Sequence, residues 1–391
     1  MHVTPTLRCV RAGTISLALA GALAGCGGNT ARPTDALAVV VGAHSNMPGA
    51  ALAGTALAAR ERALDSQAYL AIVVADGNPF VAGQAGSLLT RDSNSVIQRR
   101  DRDANRQVVD TELADAKATT PETDLLTALD VASRTISSQP GRHTIVVLDS
   151  GLSTVAPLDF RTPGLIDSDP AELAASLKTA RQLPDLAGDD VVFQGLGDTA
   201  APQVELGRPQ RAGLIDIWVA IAKAAGAHDV QVEKSPLTAQ PQTGLPSVSP
   251  VVLDNGMSCT ATVVTLTGGD VGFLPDSAEF KDRAAATALV GPIAEQLRGA
   301  QVTATLTGTT ADVGAKAGQV RLSEQRAQAV AALLTGLGVP SDRLTVTGLG
   351  SDFPGYVVDH DGSRNLIPAA AALNRKVMID LAGVSSVSFC P

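Results

Sequence analysis

The chain has 391 residues, which is long enough for two domains that each bury a core of their own. Its formal net charge is −9, and only 3% of its residues are aromatic. An acidic, aromatic-poor chain without a basic run is not typical of nucleic-acid binders, so we expect no nucleic-acid partner.

Residues 1–25 have the composition of an export signal. Two arginines precede an apolar run that is too short to span a bilayer, and small residues follow it up to Cys26. The stretch Leu23-Ala24-Gly25-Cys26 resembles the lipobox of bacterial lipoproteins. That resemblance implies a lipid-modified Cys26 at the mature N-terminus, residues 26–35 as a tether, and an extracytoplasmic, membrane-anchored protein of the cell envelope. The alternatives are an ordinary secretory signal with a chance cysteine, or a short membrane anchor.

Two cysteines are left once the signal and the lipid attachment point are set aside. They are Cys259 and Cys390, and in an oxidising compartment two leftover thiols usually pair. We therefore predict a disulfide between them. No histidine lies near either cysteine in sequence, which disfavours a metal or catalytic role.

Residues 36–232 alternate between buried strands and helices. One helix is indicated by Leu125, Leu129 and Ala132 behind Thr120-Pro121-Glu122, and another runs from Leu214 to a stop at Gly226. Short apolar runs predict four strands: Leu37 to Val41, Leu70 to Val74, Thr144 to Leu148, and Val191 to Phe193. This alternation favours an α/β domain with a doubly wound, parallel sheet.

A proline-rich linker, residues 233–250, separates this domain from residues 251–391. Its four prolines and lack of periodicity predict a semi-extended segment. The second domain is predicted as α+β. Its predicted strands are Val263 to Leu266, Val302 to Leu306, Leu344 to Val346 and Val377 to Ile379, and its predicted helices run from Ala278 to Leu297 and from a Ser323 cap to Leu334.

Several motifs of the second domain resemble the OmpA-like peptidoglycan-binding domain. They are "GFLPDSAEF" from Gly272, "GTTADVG" from Gly308, "LSEQRAQAV" from Leu322, "GLG" from Gly348 and "NRKV" from Asn374. In that family an aspartate in a Thr-Asp-x-x-Gly loop, which corresponds to the "GTTADVG" segment, and an arginine in the Leu-Ser-x-x-Arg-Ala motif bind diaminopimelate. They hold its zwitterionic end in the stem peptide of peptidoglycan. A guanidinium binds a carboxylate through two parallel hydrogen bonds, and a carboxylate binds the neighbouring ammonium.

Carried over to this chain, the resemblance makes Arg326 the carboxylate ligand. The predicted Ser323 cap places it on the first turn of its helix, where the amides of the N-terminus would also attract an anion. The loop departs from the family because the aspartate position is Ala311 and the acid follows at Asp312. Thr310 and Arg375 complete the predicted site.

Three interpretations of this site remain open. In the first, the domain binds peptidoglycan because Asp312 substitutes for the missing acid or because the stem peptide is modified. In the second, peptidoglycan binding is weak or lost and the fold is retained as a spacer. In the third, the domain binds a different ligand. Each arginine also has an alternative role without a ligand. Arg326 would form a surface ion pair with Glu324 or Asp312, and Arg375 would pair with an acid at the end of a strand.

The first domain resembles a von Willebrand factor A domain in "LAVVVGAHSNMP", "TPETDLLTALDVA" and "HTIVVLDSG". That family holds a divalent cation with oxygen ligands. Ser45, Thr123 and Asp149 keep three ligand positions, while alanine and methionine replace the leading aspartate and the second serine. The site is degenerate, so we expect no metal, and the domain is predicted to bind an envelope protein whose identity is unknown.

No catalytic motif was found, so we expect neither an enzyme nor a cofactor. The predicted function is to link the membrane to the cell wall by non-covalent peptidoglycan binding. The alternative is an envelope assembly or secretion scaffold whose second domain has lost that binding.

Overall fold

The first domain is built on a six-stranded sheet. The structure, a computed structural model, describes residues 35–92, 94–253, 256–299, 301–387 and 389. The strands of the first sheet are β1 (Ala36–Val41), β2 (Tyr69–Val74), β3 (Phe80–Ser87), β4 (His143–Leu148), β5 (Asp189–Gln194) and β6 (Asp229–Glu233). The helices are α1 (Gly54–Asp65), α2 (Ser95–Asp115), α3 (Leu125–Ile136), α4 (Pro170–Thr179) and α5 (Arg208–Ala224).

The strand order is β3-β2-β1-β4-β5-β6. Five strands are parallel, as the alternation of strands and helices predicts, and the edge strand β3 is antiparallel to β2. The antiparallel β3 was not predicted, because two glycines and a glutamine interrupt its sequence FVAGQAGS, and none of its residues is buried. The order of strands reverses between β1 and β4, which makes the carboxyl ends of these strands a switch point.

Helices cover both faces of this sheet because its central strands are buried on both sides. Alternate residues of β1 point to opposite faces, so that Ala38 and Val40 pack with α3, α4 and α5 while Val39 and Val41 pack with α1 and α2. Helix α3 begins at Leu125 with Asp124 as its cap, later than predicted. The Asp76 carboxylate accepts hydrogen bonds from the amide and hydroxyl of Thr119, which helps to hold the preceding residues as a loop.

Apart from Glu233, which ends β6, the proline-rich linker forms no helix or strand, but it lies against the first domain. Leu237 is buried in the core under the sheet, and Ala239 forms an isolated bridge with Gly49. The Ser45 hydroxyl donates a hydrogen bond to the carbonyl of Pro246. The linker therefore covers part of the edge where the parallel strands end.

The second domain is built on a five-stranded sheet with the order β10-β9-β11-β8-β7. Only β9 and β10 are parallel, and the other pairs are antiparallel. The strands are β7 (Met257–Thr260), β8 (Val263–Thr267), β9 (Thr303–Gly308), β10 (Leu344–Gly348) and β11 (Lys376–Ala382). The helices are α6 (Arg283–Arg298), α7 (Lys316–Gly336) and α8 (Pro368–Asn374).

Helices α6 and α7 bury their apolar sides against this sheet. Val290, Ile293 and Leu297 of α6 and Val330 and Leu334 of α7 share one core with the inward side chains of the strands. Helix α6 begins after its cap Asp282, five residues later than predicted, because the segment before it forms a turn bridged between Phe273 and Phe280.

The two sheets belong to one contact-dense body. Ala369 of α8 is buried within the core of the first domain, and the Asp167 carboxylate accepts a hydrogen bond of 2.7 Å from the amide of Gly269. A Cβ atom on Gly164 would lie 2.4 Å from the carbonyl oxygen of Ala369. Across the described ranges, no helix combines the length and the apolar character that a membrane span requires.

Candidate functional site

The loop after β9 is fixed by hydrogen bonds from its backbone. The amide of Thr309 donates to Lys376, that of Thr310 donates to Gly350, and that of Asp312 donates to the Asp359 carboxylate. Asp359 is fully buried, and its carboxylate also accepts a hydrogen bond from the side-chain amide of Asn374. This rigid loop places Thr310 and Ala311 on the wall of a cavity.

Helix α7 begins at Lys316 rather than at Ser323, so the prediction that Arg326 lies on a first turn is wrong. Arg326 lies almost three turns into the helix, beyond the reach of the amides at its N-terminus. Ser323 does not cap the helix. Its hydroxyl donates to the carbonyl of Val320 and accepts the amide of Gly350, which explains why a serine is accommodated inside a helix.

Arg326 is a buried cation on the cavity wall. It is 5% exposed, its Nε donates to the carbonyl of Ser277 at 2.9 Å, and its guanidinium lies 5.3 Å from the centre of the Phe273 ring. Burial, reinforced by the charge of Arg375 and opposed by that of Asp276, lowers the pKa of Arg326 to about 10. Within the described ranges it has no ion-pair partner, so the predicted alternative of a surface ion pair is wrong.

Asp312 is committed to its own loop and helix. Its carboxylate accepts hydrogen bonds from the ammonium of Lys316 at 2.7 Å and from the side-chain amide of Gln319 at 2.9 Å. The hydrogen bond from Lys316 is the main reason that the pKa of Asp312 lies below its usual value. Ala311 and Val313 line the cavity, and Asp312 does not.

Arg375 is held by an acid of the first domain. Its Nη2 atom lies 2.6 and 2.7 Å from the two carboxylate oxygens of Glu172 on α4. This matches the alternative in which Arg375 pairs with an acid, although the acid could not be identified from the sequence. Glu172 is about 200 positions away, and no local pattern signals it.

The cavity lies between the two domains and has a volume of about 950 Å³. Arg326, Arg375, Thr310 and Ala311 all line it, so the structure brings four of the five predicted site residues together. The Thr310 hydroxyl is buried, and it has no hydrogen-bond partner within the described ranges. A buried cation and a buried hydroxyl on one wall suit a ligand with an anionic, hydrogen-bonding end. The sequence did not indicate that helices α4 and α5 form the opposite wall.

The three metal-ligand positions of the first domain lie at the end of the sheet where β1 and β4 stop. Asp149 is fully buried, burial raises its pKa to about 7, and its Oδ2 has no hydrogen-bond partner within the described part of the chain. A Cβ atom on Gly42 would touch both this oxygen and the Met47 sulfur, so the methionine side chain fills the space beside the carboxylate.

The donor set is poorly suited to a hard cation. Met47 offers a soft thioether beside Asp149, and the Ser45 hydroxyl is used by the linker. Among the described residues, no group of three or more histidine, cysteine, aspartate or glutamate side chains is placed to hold a metal ion. His44, on the same loop as Ser45, is buried and is hydrogen-bonded through Nε2 to the carbonyl of Ala75.

The predicted disulfide and lipid sites fall partly or wholly on residues that are not described. Cys259 lies on β7, and Cys390 lies outside the described residues, so their pairing stays a prediction. Cys26 and the segments 1–25 and 26–34 also lie outside them.

Comparisons with known proteins concern the second domain. Residues 272–365 match the OmpA family. The second domain is therefore OmpA-like, as the motifs predict. A search of curated proteins gives no match.

The solved structures that are similar to this chain match about a third of its length. The peptidoglycan-associated lipoprotein from Burkholderia pseudomallei is 24% identical, with 30% of this chain and 89% of that chain covered and a TM-score of 0.25. The cell wall anchor of the T6SS from Pseudomonas aeruginosa is 24% identical, with 32% and 87% covered and a TM-score of 0.26. The periplasmic domain of Helicobacter pylori MotB is 16% identical, with 34% and 90% covered and a TM-score of 0.27.

Proposed function

We propose that the protein binds peptidoglycan non-covalently, by holding the carboxylate of a stem peptide on Arg326. The observation that supports this most strongly is the buried guanidinium, which has no counter-ion within the described ranges and shares a cavity with the unpartnered Thr310 hydroxyl. A buried charge without a partner is costly, and a bidentate carboxylate removes that cost. The match to the OmpA family and the family's stem-peptide motifs agree with this chemistry.

The ammonium beside that carboxylate needs an acid, and we propose Asp276 for this role. Asp276 lines the cavity, is exposed, and favours the charged form of Arg326 through its own charge. Asp312 would first have to give up Lys316 and Gln319, and its side chain lies off the cavity wall. The acid of the family's loop is thus replaced from the turn that also carries Ser277.

The test is binding of the purified protein to insoluble peptidoglycan and, by calorimetry, to a soluble stem peptide that ends in diaminopimelate. Losing one partner of a buried charged pair costs about 2–5 kcal/mol, so Arg326→Ala should weaken binding by at least about 30-fold. Arg298→Ala is the control, because it removes the same charge from a side chain on α6 that does not line the cavity. The proposal is contradicted if peptidoglycan retains the unaltered protein and both variants equally, or retains none of them. Retention of none favours the scaffold alternative.

The two candidate acids can be separated by a matched pair of amide variants. Asp276 has a left-handed backbone with φ of 47°, and asparagine tolerates this conformation as aspartate does, so Asp276→Asn removes only the charge. Asp276→Asn should weaken binding, whereas Asp312→Asn should leave binding nearly unchanged. The opposite ranking would return the role to Asp312.

We further propose a link between membrane and wall, with lipid on Cys26 and the OmpA-like domain on peptidoglycan. This places the protein in the cell envelope. The polar segment after Cys26 and the export signal support it. Metabolic labelling with a fatty acid should mark the protein and fail to mark Cys26→Ala.

The first domain is proposed to be a von Willebrand factor A-like module that binds an envelope protein without a metal. Its strand order, and the position of Ser45 and Asp149 at the carboxyl ends of parallel strands, support this. Met47 and the linker occupy the surroundings of the family's cation.

A further inference from the structure

The cavity that holds Arg326 has a second wall, supplied by the first domain. Helix α4 contributes Pro170, Ala171 and Glu172, and helix α5 contributes Ala212, Gly213, Asp216 and Ala220. The OmpA-like domain supplies the opposite wall, with Arg326 and the loop after β9. A ligand that reaches Arg326 through this space therefore lies against residues of both domains.

The contacts between the domains keep this second wall in place. Glu172 holds Arg375 through both carboxylate oxygens, and Asp167 accepts the amide of Gly269. Ala369 is buried in the core of the first domain. An ion pair, a hydrogen bond and a buried apolar contact together make separation of the domains costly, so the wall is part of the folded protein and not a transient cover.

The two walls differ in chemistry. The wall of the OmpA-like domain carries Arg321 and Arg326 and also Arg375, which is paired with Glu172. The wall of α4 and α5 combines small side chains with two acids, Glu172 and Asp216. Asp216 is exposed and forms no ion pair within the described ranges. Small residues leave room for a peptide, and Asp216 is a second acid, in addition to Asp276, that attracts the ammonium of the ligand.

We propose that the ligand site extends across both domains, with the zwitterionic end of a stem peptide lying between Arg326 on α7 and the wall formed by α4 and α5. This inference rests on the proposed function. It adds that Ala171, Ala212 and Asp216 of the first domain determine which peptides fit.

Two exposed alanines allow a direct test in the whole protein. Ala171→Phe and Ala212→Phe each place a large side chain in the cavity, and each should weaken binding of the soluble stem peptide by at least about tenfold. Ala175→Phe is the matched control, since Ala175 is exposed on the same helix as Ala171 and does not line the cavity. It should bind within about twofold of the unaltered protein.

A charge variant tests the same wall without adding bulk. Asp216→Asn should weaken binding of the peptide with a free amine and leave binding of its N-acetylated form unchanged. Equal melting temperatures would show that all variants are folded.

The outcomes separate this inference from the proposed function. If Ala171→Phe, Ala212→Phe and Asp216→Asn all bind like the unaltered protein while Arg326→Ala does not bind, the site is confined to the OmpA-like domain and the inference is overturned. If the unaltered protein binds no stem peptide, the proposed function fails and the two-domain site fails with it.

Discussion

Replacing Arg326 by methionine should stabilise the protein while abolishing ligand binding. The buried guanidinium is the reason. Burial lowers its pKa well below the usual value, to about 10, and at 1.36 kcal/mol for each pKa unit, keeping it charged at neutral pH costs about 3 kcal/mol. The folded state disfavours the proton, so this cost is present at all pH values below the lowered pKa.

Part of that cost is offset by contacts that the substitution removes. The hydrogen bond to the carbonyl of Ser277 contributes about 1 kcal/mol, and the contact with the Phe273 ring contributes about another 1 kcal/mol. The remainder predicts that Arg326→Met raises the free energy of unfolding by about 1 kcal/mol. Natural binding sites commonly sacrifice stability in this way.

The assay is urea denaturation at neutral pH, with Arg343→Met as the contrasting variant. Arg343 donates to the carbonyls of Leu297 and Gly299, so its loss should lower the free energy of unfolding by about 1–2 kcal/mol. If Arg326→Met lowers it by more than about 2 kcal/mol, the guanidinium is satisfied within the fold, and the argument for an external anion is refuted.

Two further predictions concern the first domain. Asp149 keeps its proton up to about pH 7 in the folded state and loses it near pH 4 when unfolded, so stability falls by about 4 kcal/mol as pH rises through that window. Denaturation at pH 5 and pH 8 should show that the free energy of unfolding of Asp149→Asn, relative to that of the unaltered protein, is higher at pH 8 than at pH 5. A difference that is the same at both pH values would contradict the assigned burial. Magnesium or a chelator should leave the melting temperature unchanged, because Ala43 and Met47 stand where the family has ligands; a rise with magnesium would mean that the site is functional.

Local sequence was sufficient for most of the secondary structure. Continuous apolar runs such as Leu37 to Val41 predict buried strands, because only a strand covered on both faces tolerates them. The alternation of these strands with helices is found in the six-stranded sheet. The motifs around Arg326 indicated the OmpA-like domain, since each motif fixes a turn or a contact at a set spacing.

The boundaries of helices depended on contacts that the sequence does not display. Serine is a residue type that commonly caps helices, but tertiary contacts extend α7 beyond Ser323 back to Lys316. Gly308 lies directly under this helix, where a Cβ atom would come within 1.9 Å of the Ser323 carbonyl oxygen. Packing against β9 thus overrides the local preference of a serine.

The sequence by itself indicated that the guanidinium of Arg326 and the loop that carries Thr310 belong to motifs of one domain. Only the tertiary structure decided their surroundings: Asp312 is bound to Lys316, and Arg375 is bound to Glu172, an acid of another domain. Charges pair with whatever opposite charge folding brings within a few ångströms, and separation along the chain gives no measure of that distance.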